Sequence, residues 1–206
     1  MDSILQMESV LKYFKNLDAD KKIKLDSLFD IYSELNRNVN LISRKDLAHL
    51  YINHVLHSLS ILKFIDIKPN SVFIDVGTGG GFPGIPLAIC CPDSSFVLLD
   101  STQKKIKAVE TIRNQLKLEN VECFCQRAEN YKGKFDYVTG RAVASLPKFI
   151  DNVKHLLKNK NSSVLYLKGG DFEDELKLLN MNYIVFNIKD VFEEDYFETK
   201  KLVKLF

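Results

Sequence analysis

The chain has 206 residues, of which 46% are hydrophobic and 27% charged, with a net charge of +2. This is ordinary globular usage that argues against wholesale disorder, and nine glycines and five prolines exclude collagen-like and low-complexity classes. The length allows one domain with an appendage or two small domains. Charge is uneven, since residues 100–170 hold 14 Lys/Arg against 7 Asp/Glu and residues 171–206 hold 5 against 9. The basic middle is either a polyanion-binding face or a solvated lysine-rich surface.

The cysteines and the apolar stretches indicate the cellular compartment of the protein. Cys90, Cys91, Cys123 and Cys125 form neither a C-x-x-C nor a zinc-ribbon pattern, so we expect reduced core thiols. Charges near the start interrupt any signal peptide, and the longest uncharged stretch, 76–92, is too short and too rich in Gly and Pro to span a bilayer. We expect a soluble, monomeric, cytoplasmic protein with no membrane partner.

Apolar residues recur at helical spacing through residues 1–64, which predicts a helical N-terminal cap. Asp20 is the predicted N-cap of the second helix. A third helix is predicted over residues 45–64, capped by Ser43 with Asp46 three residues on.

Short apolar runs alternate with helical segments after Pro69-Asn70, so residues 65–206 are predicted to form a second domain. Strands are predicted at 72–76, 96–99, 121–125, 135–139, 164–167, 183–188 and 202–206, and helices at 83–90, 103–116, 147–158 and 172–179. Such alternation predicts an α/β fold with a doubly wound, mostly parallel sheet covered on both faces.

The most informative segment is a glycine loop that follows the first strand and opens a helix. Asp75-x-Gly77-x-Gly79-x-Gly81 resembles motif I of Rossmann-like, class I S-adenosylmethionine-dependent methyltransferases. The dinucleotide pattern G-x-G-x-x-G fails when read from Gly77, because Phe82 takes the third glycine's place. S-adenosylmethionine carries cationic groups and no pyrophosphate, so a carboxylate such as Asp75 suits it.

Two further carboxylates are candidates for nucleoside recognition. Asp100 ends the second strand and could accept both ribose hydroxyls, while Ser101 caps the following helix and leaves Asp100 free. Glu129, with Ala128, follows the third strand where this fold reads adenine; a surface glutamate on a turn is an equally good interpretation.

The end of the fourth strand bears on the methyl acceptor. It reads Thr139-Gly140-Arg141-Ala142, without the Asn/Asp-Pro-Pro-aromatic turn that grips exocyclic amines, and no Cys-Pro lies where 5-methylcytosine formation needs it. A ring nitrogen with a free lone pair, such as guanine N7, needs no general base, so no catalytic residue is predicted. Arg141 would face the cofactor carboxylate or the base edge, or form an ordinary surface ion pair.

Several motifs in order resemble one family. They are Asn40-Leu41-Ile42-Ser43, His54 with Ser58, residues 73–87, Leu99-Asp100-Ser101, Arg141-Ala142 and Leu167-Lys168-Gly169. The family is ribosomal RNA small subunit methyltransferase G, also called glucose-inhibited division protein B, and the resemblance covers about residues 35–170.

The resemblance implies S-adenosylmethionine-dependent N7-methylation of one guanine in the decoding-region loop of 16S rRNA, with the small ribosomal subunit as partner. It carries cofactor positions over onto Gly77, Phe82, Ala128, Glu129 and Arg141. The chain departs from the usual family pattern at Ile42, Asn53, His57 and Gly140.

The predicted substrate-binding residues are polar groups near the strand ends and on the third helix. They are Asn40, His54, Lys104, Arg127 and Lys168. His54 and His57 lack a third ligand nearby, so no metal site is predicted. A small-molecule methyltransferase and a non-enzymatic RNA-binding or assembly module remain the alternative functions.

Overall fold

A computed structural model describes the backbone of residues 3–206 and the side chains of residues 7–206. Residues 1 and 2, with which the predicted helical cap begins, lie outside the described residues. No described helix has the length and apolarity needed to cross a membrane.

Seven strands form one sheet in the order β3-β2-β1-β4-β5-β7-β6. The first five strands run parallel, and β7 is antiparallel to both of its neighbours. The strands are β1 Val72–Val76, β2 Ser95–Asp100, β3 Val121–Cys125, β4 Tyr137–Arg141, β5 Ser163–Gly169, β6 Tyr183–Asn187 and β7 Lys200–Leu205. The predicted doubly wound, mostly parallel α/β fold is therefore confirmed.

Ten α-helical segments precede or connect the strands. They are α1 Ser3–Tyr13, α2 Ala19–Asp26, α3 Leu28–Leu35, α4 Arg44–Leu47, α5 His57–Leu59, α6 Ile61–Phe64, α7 Gly84–Cys90, α8 Gln103–Gln115, α9 Leu146–Val153 and α10 Glu173–Lys177. A π-helical segment, Tyr51–Leu56, lies between α4 and α5. The last two predicted connecting helices are thus shorter than their patterns indicated, and β4 lies two residues later than predicted.

The single helix predicted over residues 45–64 is wrong, because the segment is broken into α4, the π-helical segment, α5 and α6. The hydroxyl of Ser58 donates to the carbonyl of His54 at 2.6 Å, and that of Ser60 donates to the carbonyl of His57 at 2.7 Å. Serine hydroxyls that bond backbone carbonyls in this way compete with the helix and bend it.

The predicted cap of the second helix is also wrong. Asp18 rather than Asp20 is the N-cap, and its carboxylate accepts a hydrogen bond from the Lys21 N–H at 2.9 Å. Ser43 caps α4 as predicted, accepting from the Asp46 N–H and donating to the Asp46 carboxylate.

The apolar core lies on both faces of the sheet, because neighbouring strand residues point to opposite sides. Phe73 belongs to the cluster that also holds side chains of α1–α3 and α7, whereas Ile74 belongs to the cluster with α9. The N-terminal helices thus share a core with the sheet. The domain boundary between residues 64 and 65 stays a prediction.

All four cysteines are free thiols. The prediction of core thiols is wrong for Cys125, which is exposed, while Cys90, Cys91 and Cys123 are half-buried. Burial raises the pKa of the Cys91 and Cys123 thiols to about 11.

Candidate functional site

The glycine loop forms a tight turn at the carboxyl end of β1. Gly77, Gly79 and Gly81 have φ of +67°, +58° and +94°, the left-handed region that residues with a Cβ rarely adopt. Gly84 is required for another reason, since a Cβ there would lie 2.1 Å from the Leu98 side chain. The sequence pattern therefore reflects both the turn and the close approach of α7 to the sheet.

Asp75 is buried beneath this loop and accepts three hydrogen bonds. Its donors are the Thr78 hydroxyl at 2.6 Å, the Gly84 N–H at 3.0 Å and the Thr139 hydroxyl at 3.0 Å. Burial raises the pKa of the Asp75 carboxyl to about 6, and these donors act to lower it. The carboxylate holds the loop against β4, and its predicted contact with cationic groups of a cofactor stays a prediction.

Asp100 is buried at the end of β2 and also binds the glycine loop. One carboxylate oxygen accepts from the Gly79 N–H at 3.0 Å, and the other accepts from the Thr102 N–H at 2.9 Å. The expectation that Ser101 caps the next helix and leaves Asp100 free is wrong, because Thr102 occupies the N-cap position. Each carboxylate oxygen has a second lone pair, so binding of a ribose stays a prediction.

A cavity of about 140 Å³ lies at the carboxyl ends of β1, β2 and β3. Its walls include the predicted cofactor residues Gly77, Asp100, Ala128 and Glu129, together with the predicted substrate residue Arg127. It is the position at which open α/β sheets bind nucleosides.

The carboxylates around this cavity, those of Asp100 and Glu129, have the chemistry to accept hydrogen bonds from the hydroxyl and amino groups of a nucleoside such as that of S-adenosylmethionine. A Cβ at Gly77 would lie 2.8 Å from a methyl group of Val143, so the absence of a side chain lets the loop after β4 pack against the glycine loop. Val143 narrows the cavity from the opposite wall, and pockets for ligands of this size are usually roughly 300–1,000 Å³. At about 140 Å³ the cavity is smaller than that range, so it would enclose only part of the cofactor.

Phe82, the last predicted cofactor position of the loop, is buried in an aromatic cluster. The Tyr32 ring stacks on it at 5.0 Å, the His54 ring lies 4.9 Å away, and the Arg141 guanidinium lies 5.3 Å from its centroid. Tyr32 also donates to the Gly80 carbonyl at 2.5 Å. The helical cap is thus attached directly to the glycine loop, which the sequence did not indicate.

Arg141 joins the end of β4 to the π-helical segment. Its Nη1 donates to the Asn53 carbonyl at 3.1 Å, and its Nη2 lies 2.7 Å from His54 Nδ1. The interpretation as an ordinary surface ion pair is wrong, since the side chain is half-buried against neutral partners.

A second cavity, of about 360 Å³, lies between the helical cap and the ends of β4 and β5. The loop after β4 separates it from the first, because Ala142 and Ala144 line this cavity while Val143 lines the other. Its polar walls are Asp46, His54, His57, Arg141, Lys168, Tyr196 and Lys200. Of these, the sequence interpretation missed Asp46, Tyr196 and Lys200 as site residues.

The remaining predicted residues are dispersed. Lys168 lines the second cavity and forms an ion pair with Glu175 at 2.8 Å. Asn40 and Lys104 are exposed, and neither lines the two cavities. Among the described residues, no group of three or more His, Cys, Asp or Glu side chains could hold a metal ion.

The fold is that of class I S-adenosylmethionine-dependent methyltransferases. A methyltransferase of this class from Aquifex aeolicus has a TM-score of 0.59 to the chain at 16% identity, covering 84% of the chain and 96% of that structure. TYW2 from M. jannaschii, solved in complex with AdoMet, has a TM-score of 0.58 at 17% identity, covering 75% of each chain.

The sequence comparisons are more specific. The family model described as rRNA small subunit methyltransferase G matches residues 21–202. A ribosomal RNA small subunit methyltransferase G from Christiangramia forsetii is 47% identical over 98% of the chain and 97% of its own length. One from Flavobacterium johnsoniae is 43% identical over 97% of each. The chain belongs to the rRNA small subunit methyltransferase G family, and its cofactor is S-adenosylmethionine.

Proposed function

We propose that the protein transfers the methyl group of S-adenosylmethionine to N7 of a guanine in 16S rRNA of the small ribosomal subunit. The family and its relatives, which bear the name of a small-subunit rRNA methyltransferase, support the substrate class. Monomeric action in the cytoplasm belongs to the same proposal.

The observation that carries the choice of atom is the second cavity, separated from the cofactor cavity only by residues 142–144. When bound, S-adenosylmethionine supplies an electrophilic methyl group, and the lone pair of N7 forms the new bond while the broken S–C pair stays on sulfur. No proton leaves N7, which agrees with a fourth strand that ends without an amine-gripping turn.

The wall of this cavity holds one carboxylate, Asp46, together with the cations Arg141, Lys168 and Lys200. N7-methylguanine is cationic, and the Asp46 carboxylate in the cavity wall can offset that charge. Hydrogen bonds from the Ser43 hydroxyl and the Asn53 amide hold Asp46, and they lower the pKa of its carboxyl so that it stays ionised. The Lys168 ammonium is already offset by Glu175.

The test is to incubate the purified protein with S-adenosylmethionine and small subunits that lack the modification, and then to map N7-methylguanine in the 16S rRNA. We expect one methylated guanine. Arg141→Ala should reduce the rate at least about tenfold, because Arg141 holds the loop after β4 against the cap. Arg113→Ala, in the last turn of α8, is the matched control. Methylation at another atom, or none in the wild type, would refute the proposal.

A further inference from the structure

Two buried ring nitrogens in the wall of the second cavity have no hydrogen-bond partner among the residues that the structure describes. They are Nε2 of His54 and Nε2 of His57. A buried polar atom without a hydrogen-bond partner destabilises a protein. Such atoms are therefore rare unless a ligand or a water molecule supplies the missing hydrogen bond. His54 lies in the π-helical segment and His57 directly follows it; such segments are rare and frequently found at functional sites.

The partner of His54 fixes which of its nitrogens carries the proton. Arg141 has only donors, and its Nη2 lies 2.7 Å from His54 Nδ1, so Nδ1 must accept. Burial, with the Arg141 charge, lowers the pKa of His54 to about 3, so the ring is neutral at pH 7. A neutral ring that accepts at Nδ1 carries its hydrogen at Nε2. The unpaired atom of His54 is therefore a hydrogen-bond donor.

The partner of His57 fixes the opposite arrangement. The Tyr196 hydroxyl lies 3.2 Å from the Asn53 carbonyl and 3.3 Å from His57 Nδ1, and we assign its one hydrogen to the carbonyl, which can only accept. Its oxygen can then only accept from His57, so Nδ1 carries the hydrogen. Burial holds the pKa of His57 well below its usual value, so this ring is neutral too. The unpaired Nε2 of His57 is therefore an acceptor.

His54 and His57, which line the cavity and lie three apart in the chain, thus carry one unpaired donor and one unpaired acceptor, both buried beneath the cavity wall. Guanine presents the complementary pair on adjacent atoms, since O6 accepts and N1–H donates. Adenine presents the reverse, an amino donor at C6 and an acceptor at N1. We propose that His54 and His57 select guanine over adenine, His54 by donating to O6 and His57 by accepting from N1–H.

This inference rests on the proposed function and names its specificity residues. O6 and N1 are the atoms engaged, which leaves N7 uncovered for methyl transfer. Arg141 acts as a positioning residue, because it determines the His54 tautomer. Tyr196 does the same for His57.

The test compares 16S rRNA fragments that carry guanine, inosine or 2,6-diaminopurine at the target position. Inosine keeps O6 and N1–H, whereas 2,6-diaminopurine reverses both and keeps N7. The wild type should methylate inosine within about threefold of guanine and 2,6-diaminopurine at least about 100-fold more slowly, because mispaired buried polar groups discriminate strongly.

Substitutions of His54 and His57 test whether these two rings cause the discrimination between guanine and 2,6-diaminopurine. His54→Phe and His57→Phe keep an aromatic ring without polar atoms, and each should reduce the discrimination at least about tenfold. His57→Gln, whose amide oxygen can accept, should restore most of it. Thermal unfolding and S-adenosylmethionine binding, measured on each variant, show that fold and cofactor site persist. Wild-type discrimination in both Phe variants would overturn the proposal, as would equal methylation of guanine and 2,6-diaminopurine by the wild type.

Equilibrium binding of the same fragments in the presence of S-adenosylhomocysteine separates this inference from the proposed function. Discrimination in binding that the Phe variants lose supports base selection even if the methylated atom proves not to be N7. Equal binding of the three fragments, together with equal rates, refutes it even where N7-methylguanine is formed.

Discussion

The buried side chain of Asp75 stabilises the conformation of the glycine loop. Its carboxylate accepts hydrogen bonds from two hydroxyl groups and a backbone N–H, which tie the glycine loop to β4 and to the start of α7. Burial nevertheless outweighs these donors and raises the pKa to about 6. The loop is therefore held by a group whose ionisation opposes folding.

The pH dependence of stability should reveal this group. The folded pKa of about 6 exceeds the ordinary value of 3.8, so the stability from Asp75 is complete below about pH 4 and is lost as the pH rises through 6. Between pH 4 and 7 the free energy of unfolding of the wild type should fall by about 2 kcal/mol relative to Asp75→Asn. Urea unfolding across this range measures the difference, with the exposed Asp30→Asn as control. Parallel curves for wild type and Asp75→Asn would contradict the expectation.

Tyr166 has a comparable role at the loop that divides the two cavities. Its hydroxyl accepts from the Val143 N–H at 2.9 Å and the Ala144 N–H at 3.1 Å, and donates to the Ala144 carbonyl at 2.8 Å. One oxygen atom thus holds the segment that places Val143 against Gly77.

Tyr166→Phe should lower the free energy of unfolding by about 1–3 kcal/mol, because two backbone N–H groups lose their acceptor. Hydrogen exchange at Val143 and Ala144 should accelerate in the same variant. Tyr183→Phe, at an exposed position on the edge strand, is the matched control and should change neither quantity. Unchanged exchange in Tyr166→Phe would show that the loop is held by other contacts.

At the scale of elements, the caps decide where the helices around the site begin. Ser43 and Asp46 form a reciprocal cap on α4, and Asp46 also lines the second cavity. At α8 the N-cap residue is Thr102, and its backbone N–H donates to the Asp100 carboxylate. Ser101 therefore has no capping role.

Two serine substitutions test these assignments. Ser43→Ala should lower the free energy of unfolding by about 0.5–2 kcal/mol and reduce methyl transfer, because it removes an N-cap and releases Asp46. Ser101→Ala should leave stability within about 0.5 kcal/mol of the wild type, as is usual for surface changes. Chemical unfolding measures the stability of each variant, and a methyl-transfer assay measures its activity. Equal losses of stability in Ser43→Ala and Ser101→Ala would refute the assignments.

At the scale of the whole molecule, parallel strands bring residues from distant parts of the chain to one edge. Lys104, Lys107 and Arg127 follow the carboxyl ends of β2 and β3 and are exposed, as an RNA-binding edge requires. Lys117, Lys158 and Lys160 are also exposed but lie in connections that precede a parallel strand, at the opposite edge.

Salt dependence of RNA binding should distinguish the two edges. The plot of log affinity against log salt concentration has a negative slope. Replacing Lys104, Lys107 and Arg127 by Gln should make this slope shallower by about 2–3, because each neutralised phosphate contributes roughly 0.7–0.9 to its magnitude. The same replacement of Lys117, Lys158 and Lys160 should leave the slope nearly unchanged. Equal changes from both sets would indicate a diffuse basic surface.

The sequence by itself determined the strand and helix alternation, the glycine loop and the family resemblance. These follow from local features, namely apolar periodicity and the need for glycine where φ is positive, which neighbours in the chain specify. The single helix predicted over residues 45–64 is interrupted near Ser58 and Ser60, whose hydroxyls bond its carbonyls, an effect that periodicity does not report.

Only the tertiary structure decided which polar atoms find partners. Arg141 and His54 lie 87 positions apart in the chain, and Tyr196 and His57 lie 139 apart. Their tautomers, and with them the donor and acceptor left in the cavity, depend on groups that meet only when the sheet forms and the cap packs onto it. A hydrogen bond depends on distance in space, and spacing along the chain carries no record of such meetings.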